Sequence, residues 1–336
     1  MSDKPAISVV VIGRNEGARL TRCLSSVNSA RHSGYKLELI YVDSASTDDS
    51  VALAKAHGAE VISVTPQRPS AALGRNAGWR AASAEFILFL DGDTLLHPEF
   101  IGRALSAMDD ARVAVVWGHR REITPERSLY IKVLDLDWVY APGDSEFCGG
   151  DALMRRQALL NCNGFDETLI AGEEPEFCNR LRAAGALIRH IDAPMTLHDL
   201  AIDSFRPYWR RAYRAGHAYA EVAQRCHASQ HQLWRKESRR NQIHGAALLL
   251  SPLVMGGAYW LHPLIALVLF TLGLLIIARS VRQSQWKCAS LGTRILYALH
   301  SHFQQIPILL GQWRFWLDQL LGHQRGLIEY KREDAS

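Results

Sequence analysis

A chain of 336 residues, 48% of them hydrophobic and 21% charged, has apolar material for one large core or two smaller ones, which excludes wholesale disorder. The net charge of +4 is mild, and basic residues cluster only near 205–240 and after 278, so composition gives no argument for a nucleic-acid partner. Six cysteines without a C-x-x-C pair fit a reducing compartment and no structural zinc.

Met1 to Ala6 is short and polar and leads into a strand, so the expectation is no secretory leader and a catalytic portion facing the cytoplasm. Residues 7–12 are continuous and β-branched and read as a buried parallel strand, with Gly13-Arg14-Asn15-Glu16-Gly17 as the loop at its carboxyl end. The loop lacks G-x-G-x-x-G, which argues against a dehydrogenase. A helix is predicted over 18–30, with Leu20, Cys23, Leu24 and Val27 on one face. The second strand, 37–42, ends in Asp43 and a polar run in which Ser46 or Asp48 can cap a helix over 49–57. A short strand at 60–64 and a helix at 71–82, containing Gly74-Arg75-Asn76-Ala77-Gly78, follow. The alternation up to residue 90 is the pattern of a doubly wound α/β domain.

Phe86 to Leu90 is an apolar run that ends abruptly in Asp91-Gly92-Asp93. Five apolar residues in a row fit a strand buried on both faces, and open α/β sheets bind ligands beyond the carboxyl ends of their strands. Two neighbouring carboxylates repel unless a cation or a hydrogen-bonded sugar lies between them, and hard oxygen ligands suit Mg²⁺ or Mn²⁺ carrying a diphosphate. An ordinary Asp-Gly turn is the plain alternative. Further on, a helix over 98–110 and a strand over 113–118 precede a polar, aromatic stretch, 119–145, that reads as a mobile loop.

V-V-I-G-R-N-E on the first strand, Y-V-D-S-A-S-T-D at the end of the second, G-R-N-A-G in the helix and D-G-D at 91–93 resemble, in order and spacing, glycosyltransferase family 2, the inverting enzymes of the GT-A fold. The resemblance covers residues 5–225. It implies that Gly13, Arg14, Glu16, Asp43, Ser46, Arg75, Asp91 and Gly92 contact a nucleotide diphosphate sugar, with Asp43 holding the base and Asp91 facing the ribose and metal-bound water. Asp93 becomes the direct metal ligand, with Asp91 beside it. His198 matches a histidine that closes the metal and diphosphate site. Plain structural roles stand beside these: Glu16 can open the next helix, Asp43 can cap one, and Arg75 can be a surface arginine.

In the second half, Gly149, Gly150 and Asp151 resemble the family's acceptor strand, where glycines let sugar rings approach the backbone. The elements G-F-D-E at 164–167 and G-E-E-P-E-F-C-N-R-L at 172–181 resemble its catalytic segment. Displacement at the anomeric carbon needs a base opposite the departing diphosphate, and Glu174 stands where the family has an Asp, with Glu173 the alternative. These acids with Pro175 also suit the first turn of a helix. The basic, aromatic run 205–216 could neutralise the leaving diphosphate or form a solvated interfacial helix.

Ile243 to Ala278 holds no Asp, Glu, Lys or Arg, a run of 36 residues broken at Leu261-His262-Pro263. That suffices for two short membrane spans, with a re-entrant or a buried soluble hairpin as alternatives. Basic residues at both ends put both on the cytoplasmic side. The mixed apolar and charged pattern over 288–322 suits helices lying in the membrane interface.

The reading is therefore an α/β GT-A domain over 1–230, with a nucleotide-sugar half (1–95) and an acceptor half (96–230), followed by a membrane-associated helical region over 231–336. The expected function is metal-dependent, inverting transfer of one sugar to a lipid-linked or cell-surface polysaccharide acceptor at the inner membrane. The rival is a catalytically silent membrane scaffold of a polysaccharide assembly complex.

Overall fold

The computed structural model describes residues 7–31, 35–65 and 69–323. Met1 to Ala6, on which the leader expectation rests, lie outside the described residues.

In chain order the elements are β1 (Ile7–Gly13), α1 (Ala18–Arg31), β2 (Leu37–Asp43), α2 (Ser50–Ala56), β3 (Glu60–Ser63), α3 (Ala71–Ala81), β4 (Phe86–Asp91), β5 (Thr94–Leu96), α4 (Phe100–Ala107) and β6 (Val113–Glu122). Then come α5 (Leu129–Asp137), β7 (Gly143–Ser145), β8 (Ala152–Arg155), α6 (Arg156–Asn161), α7 (Glu173–Ala183), β9 (Leu187–His198) and α8 (Phe205–Arg225). The tail holds α9 (Arg235–Leu261), α10 (Pro263–Gln283), α11 (Leu291–Phe303) and α12 (Gln305–Leu320).

One mixed sheet runs β3-β2-β1-β4-β8-β6-β9-β5, with β7 added on β9. Strands β3, β2, β1 and β4 are parallel, as the βαβ alternation requires, while β8 enters antiparallel between β4 and β6. Strand β1 is central and fully buried from Ile7 to Val11, which is why its sequence is apolar without alternation. Helix α1 lays Leu20, Cys23, Leu24 and Val27 on the sheet. Helix α3 approaches more closely: a Cβ on Gly78 would overlap Val10, and one on Gly74 would sit 3.3 Å from Ile12. The glycines of G-R-N-A-G thus set the helix–sheet distance and bring Arg75 over the strand ends.

The stretch 119–145 is built structure and not a loop. β6 continues to Glu122, and α5 follows, with the Ser128 hydroxyl accepting the Ile131 N–H at 3.1 Å. Ile131, Leu134 and Trp138 form a separate small core with Leu200, Ile202 and Tyr208. That core exists only once α8 arrives from far along the chain, so the local sequence looks polar. The helix expected over 98–110 is shorter, α4 ending at Ala107.

Helices α9 and α10 form the expected hairpin, broken at His262, whose ring nitrogen accepts the Leu264 N–H at 3.2 Å. Both are long and apolar enough to cross a membrane. The 21 residues of α10 measure about 31 Å. Helices α11 and α12 follow as predicted amphipathic segments, yet α12 is docked. A Cβ on Gly216 of α8 would overlap the Ile308 carbonyl of α12, and one on Gly311 of α12 would overlap the Tyr213 carbonyl of α8. The two backbones touch through reciprocal glycines, leaving Trp313, Trp316 and Leu320 outward.

Gly311→Ala pushes a methyl group into the facing backbone and should cost about 1–3 kcal/mol. The check is the thermal midpoint in detergent against Gly292→Ala on α11, which has nothing within 4 Å and should leave stability unchanged. Equal midpoints for the two variants would contradict the packing.

Candidate functional site

A cleft of about 540 Å³ opens at the carboxyl ends of β1 and β4. One wall is the first loop, Gly13 to Glu16, and another is Gly149 and Gly150 with the start of α7. His198, Arg211 and Arg214 close it from the second half of the chain.

The D-G-D turn is fixed by backbone bonds. Gly92 N–H donates to the Ile12 carbonyl at 2.8 Å, and the Thr94 hydroxyl donates to the Asp91 carbonyl at 2.8 Å. β5 then pairs antiparallel with the end of β9, Thr94 opposite His198. That pairing brings His198 Nε2 to 3.5 Å from Asp93 Oδ1 and 3.9 Å from Asp91 Oδ2. One ligand atom from each lies within 4.8 Å of the others, the one such cluster among the described residues. Two carboxylates and an imidazole are a donor set that fits a divalent cation.

Arg75 is the other organiser. Its guanidinium is buried and lies 2.9 Å from Asp91, 2.7 Å from Glu173 and 3.1 Å from Glu174. Burial opposes its charge, but Glu174, Asp91 and Glu173 hold it protonated. Burial first, then the neighbouring Glu173, pushes the Glu174 carboxyl up to about 7, with Arg75 acting against the rise. Glu173 and Glu174 open α7 after Gly172, which takes a left-handed backbone at φ 87°. Arg75, expected beside the nucleotide, is thus bound to three carboxylates at the cleft wall.

Gly149 and Gly150 line the cleft, but the space they leave is not open to a sugar. A Cβ on Gly150 would sit 2.5 Å from Arg75 Nη2 and 2.9 Å from Asp91 Oδ2, and one on Gly149 would overlap the Arg120 guanidinium. The missing side chains make room for two arginines. Asp151, expected with the acceptor, is buried behind Asp91, accepting its N–H at 3.0 Å and the Thr196 hydroxyl at 2.7 Å. Burial and Asp91 raise its carboxyl above the usual range.

Arg14, Gly13, Glu16 and Gly92 line the cleft as expected. Glu16 also pairs with Arg19 at 3.1 Å. Asp43 and Ser46 do not line it; Ser44 is their loop's contribution. Asp43 is buried, accepting the Ser46 N–H at 3.1 Å, while the Ser46 hydroxyl accepts the Asn15 N–H at 2.9 Å. Of the two expected caps, Asp48 accepts the N–H of Ser50, the first residue of α2, at 3.0 Å and that of Gly17 at 3.1 Å, while Ser46 bonds the first loop instead. These side chains tie the first two loops together.

Several residues in or beside the site escaped the sequence reading. Arg120, at the end of a buried strand, lines the cleft, and Trp138 caps α5 at its rim. Glu122 is buried opposite His198 in the β6–β9 pairing, its carboxyl pushed up to about 7 by burial against the opposing pull of the Leu200 N–H and His198. The strand-end rule that singled out Asp91 also reaches Arg120 and Glu122.

Residues 8–162 match the glycosyl transferase family 2 model. Among curated proteins, the chain is 28% identical over 122 residues to glycosyltransferase AglE of Haloferax volcanii, covering 35% of this chain and 40% of that one. It is 28% identical over 210 residues to the pre-mycofactocin glycosyltransferase of Mycobacterium tuberculosis, covering 57% and 42%. The chain therefore spans less than half the length of these relatives. Among solved structures, mannosyltransferase PcManGT of Pyrobaculum calidifontis, in complex with GDP-Man and Mn²⁺, superposes with a TM-score of 0.68 at 18% identity, over 95% of this chain and 89% of that one. Residues 1–349 of TarS from S. aureus, with UDP-GlcNAc, give 0.51 at 14% identity over 95% and 92%. These likenesses establish a GT-A fold.

If Asp91, Asp93 and His198 form one cation site, Asp93→Asn should weaken Mn²⁺ binding to the full chain by at least about tenfold, read from the free-Mn²⁺ electron paramagnetic resonance signal. Unchanged affinity would exclude Asp93 as a ligand.

Proposed function

From the premise that the chain is a family 2 glycosyltransferase with a GT-A fold, we propose that it transfers one sugar, with inversion, from a nucleotide diphosphate sugar to a lipid-linked or cell-surface polysaccharide acceptor. The observation that carries this reading is the Arg75 cluster, which joins Glu174 to Asp91 through one guanidinium.

Glu174 is the general base. It lines the cleft with a side chain 14% exposed, against 6% for Glu173, and its raised affinity for a proton suits a group that must take one near neutral pH. It accepts the acceptor hydroxyl proton as that oxygen bonds to the anomeric carbon. The bond to the diphosphate breaks on the opposite face, and the nucleoside diphosphate departs. Asp91, Asp93 and His198 would hold a divalent ion, which would supply positive charge to the departing diphosphate. One imidazole among the ligands favours Mn²⁺ over Mg²⁺, which prefers oxygen alone. Neighbours solved with GDP-Man and UDP-GlcNAc support a nucleotide-sugar donor.

The tail supports a membrane location. Arg235, Lys236, Arg239 and Arg240 precede the apolar hairpin, and Arg279, Arg282 and Lys287 follow it, so both flanks and the catalytic domain lie on the cytoplasmic side of the inner membrane in this reading.

Glu174→Gln should lower kcat by about 10²–10⁴-fold while nucleoside diphosphate binding stays within about twofold. Because the base must be ionised, wild-type kcat/KM should fall as pH drops below about 7, with protonation of Glu174. Full activity in the variant would remove Glu174 from the chemistry. Nucleotide binding without turnover in the wild type, across lipid and polysaccharide acceptors, would favour the silent scaffold.

A further inference from the structure

We propose that Arg120 is the centre of an anion-binding subsite in the acceptor half of the cleft, made for the phosphate of a lipid-borne acceptor. The inference rests on the transferase reading above and adds the chemical class of its acceptor.

Arg120 differs from the other arginines around it. Arg75 is bound to three carboxylates, Arg121 pairs with Asp135 and Arg127 with Asp203. Arg120 has no ion pair with a carboxylate among the described residues, and its Nε is buried without a hydrogen-bond partner. Two indole faces hold it instead, the guanidinium carbon lying 5.5 Å from the Trp138 ring and 6.0 Å from the Trp117 ring. Such stacking fixes a guanidinium without neutralising it, leaving its planar fork of donors for an oxyanion. Gly149 makes the arrangement possible, since any side chain there would displace the guanidinium.

Position separates this charge from the donor half. Gly150 faces Arg75, Asp91 and Glu174, whereas Gly149, one residue earlier, faces Arg120. An anion on Arg120 therefore sits beside the base, on the acceptor strand. Arg211 and Arg214, one turn apart on α8, line the same cleft, and Arg214 also donates to the Ile170 carbonyl at 3.1 Å. Three arginines with Trp138, Tyr140 and Trp234 make a wall that is cationic and aromatic.

The tail points to a lipid. Trp234 lines the cleft and is the N-cap of α9, and Ile243, nine residues on, is 62% exposed on the apolar helix. Nine helical residues advance about 13 Å, so the cationic end of the cleft opens close to the apolar surface of the hairpin. A phosphate in the cleft with its hydrocarbon chain along α9 fits both surfaces.

The test uses the full chain in detergent, saturated with Mn²⁺ and whichever of UDP or GDP binds more tightly, titrated with farnesyl phosphate or farnesol while tryptophan fluorescence is read. Farnesyl phosphate should bind at least about tenfold more tightly than farnesol. Arg120→Met, which keeps bulk and removes charge, should abolish that preference while nucleoside diphosphate affinity stays within about twofold; Arg120→Lys should retain part of it. A thermal midpoint near wild type shows that each variant is folded. Equal affinities of the wild type for phosphate and alcohol overturn the proposal. So does a loss of nucleoside diphosphate affinity in Arg120→Met that matches the loss of farnesyl phosphate, because Arg120 then serves the leaving diphosphate. Failure of the wild type to bind either nucleoside diphosphate defeats the transferase reading itself; nucleotide binding without a phosphate preference defeats this inference alone.

Discussion

One buried guanidinium, Arg75, carries the electrostatic balance of the site. Three carboxylates, Asp91, Glu173 and Glu174, converge on it from a strand end and a helix start that are distant in sequence. In a poorly solvated cleft these acids repel one another, and a cation between them is what allows the group to remain assembled. The balance is incomplete, since Glu174 still has its proton affinity raised by burial and by Glu173. Asn76, the next residue on α3, accepts the Phe165 N–H at 2.9 Å and donates to Glu167, so the helix that holds Arg75 also fixes the segment leading to α7.

The sheet explains why Asp91, Asp93 and His198 meet across such a span of chain. Asp91 and Asp93 follow β4, while His198 ends β9, and the two meet only because β5 folds back as the last strand of the sheet beside β9. Behind them, Asp151 bonds the Asp91 N–H and the Thr196 hydroxyl, linking the D-G-D turn to β9 a second time. The buried acid is thus a brace for the turn.

The parallel half of the fold was legible because its signals are local. Apolar runs without alternation mark β1, β2 and β4, and Leu20, Cys23, Leu24 and Val27 mark the buried face of α1. Asp91 and Asp93 could be picked out because they end an apolar strand run, whereas the places of Glu174 and His198 were legible only through the resemblance to family 2 motifs. What stayed hidden depends on contacts between distant segments. Nothing near residue 131 announces that α5 will share a core with Ile202 and Tyr208. Gly149 and Gly150 look like room for a substrate until Arg120 and Arg75 are seen to fill that room. Asp43 and Asp151 have the residue type of ligand-binding acids, but burial and backbone partners give them bracing roles in this fold.

Helix α8 and its neighbours connect the tail to the chemistry. α8 presents Arg211 and Arg214 to the cleft and Gly216 to α12, so the helix that walls the site is also the one on which the tail is docked. A second attachment lies at α5: the Tyr297 hydroxyl donates to Asp137 at 3.0 Å, and Lys287 donates to the Leu136 carbonyl at 2.7 Å. The next residue is Trp138, which braces Arg120. His300 of α11 contacts the same Asp137 through Nε2 at 3.2 Å and Tyr208 of α8 through Nδ1 at 2.8 Å. Residues from the tail therefore fix both elements that form the arginine-lined end of the cleft.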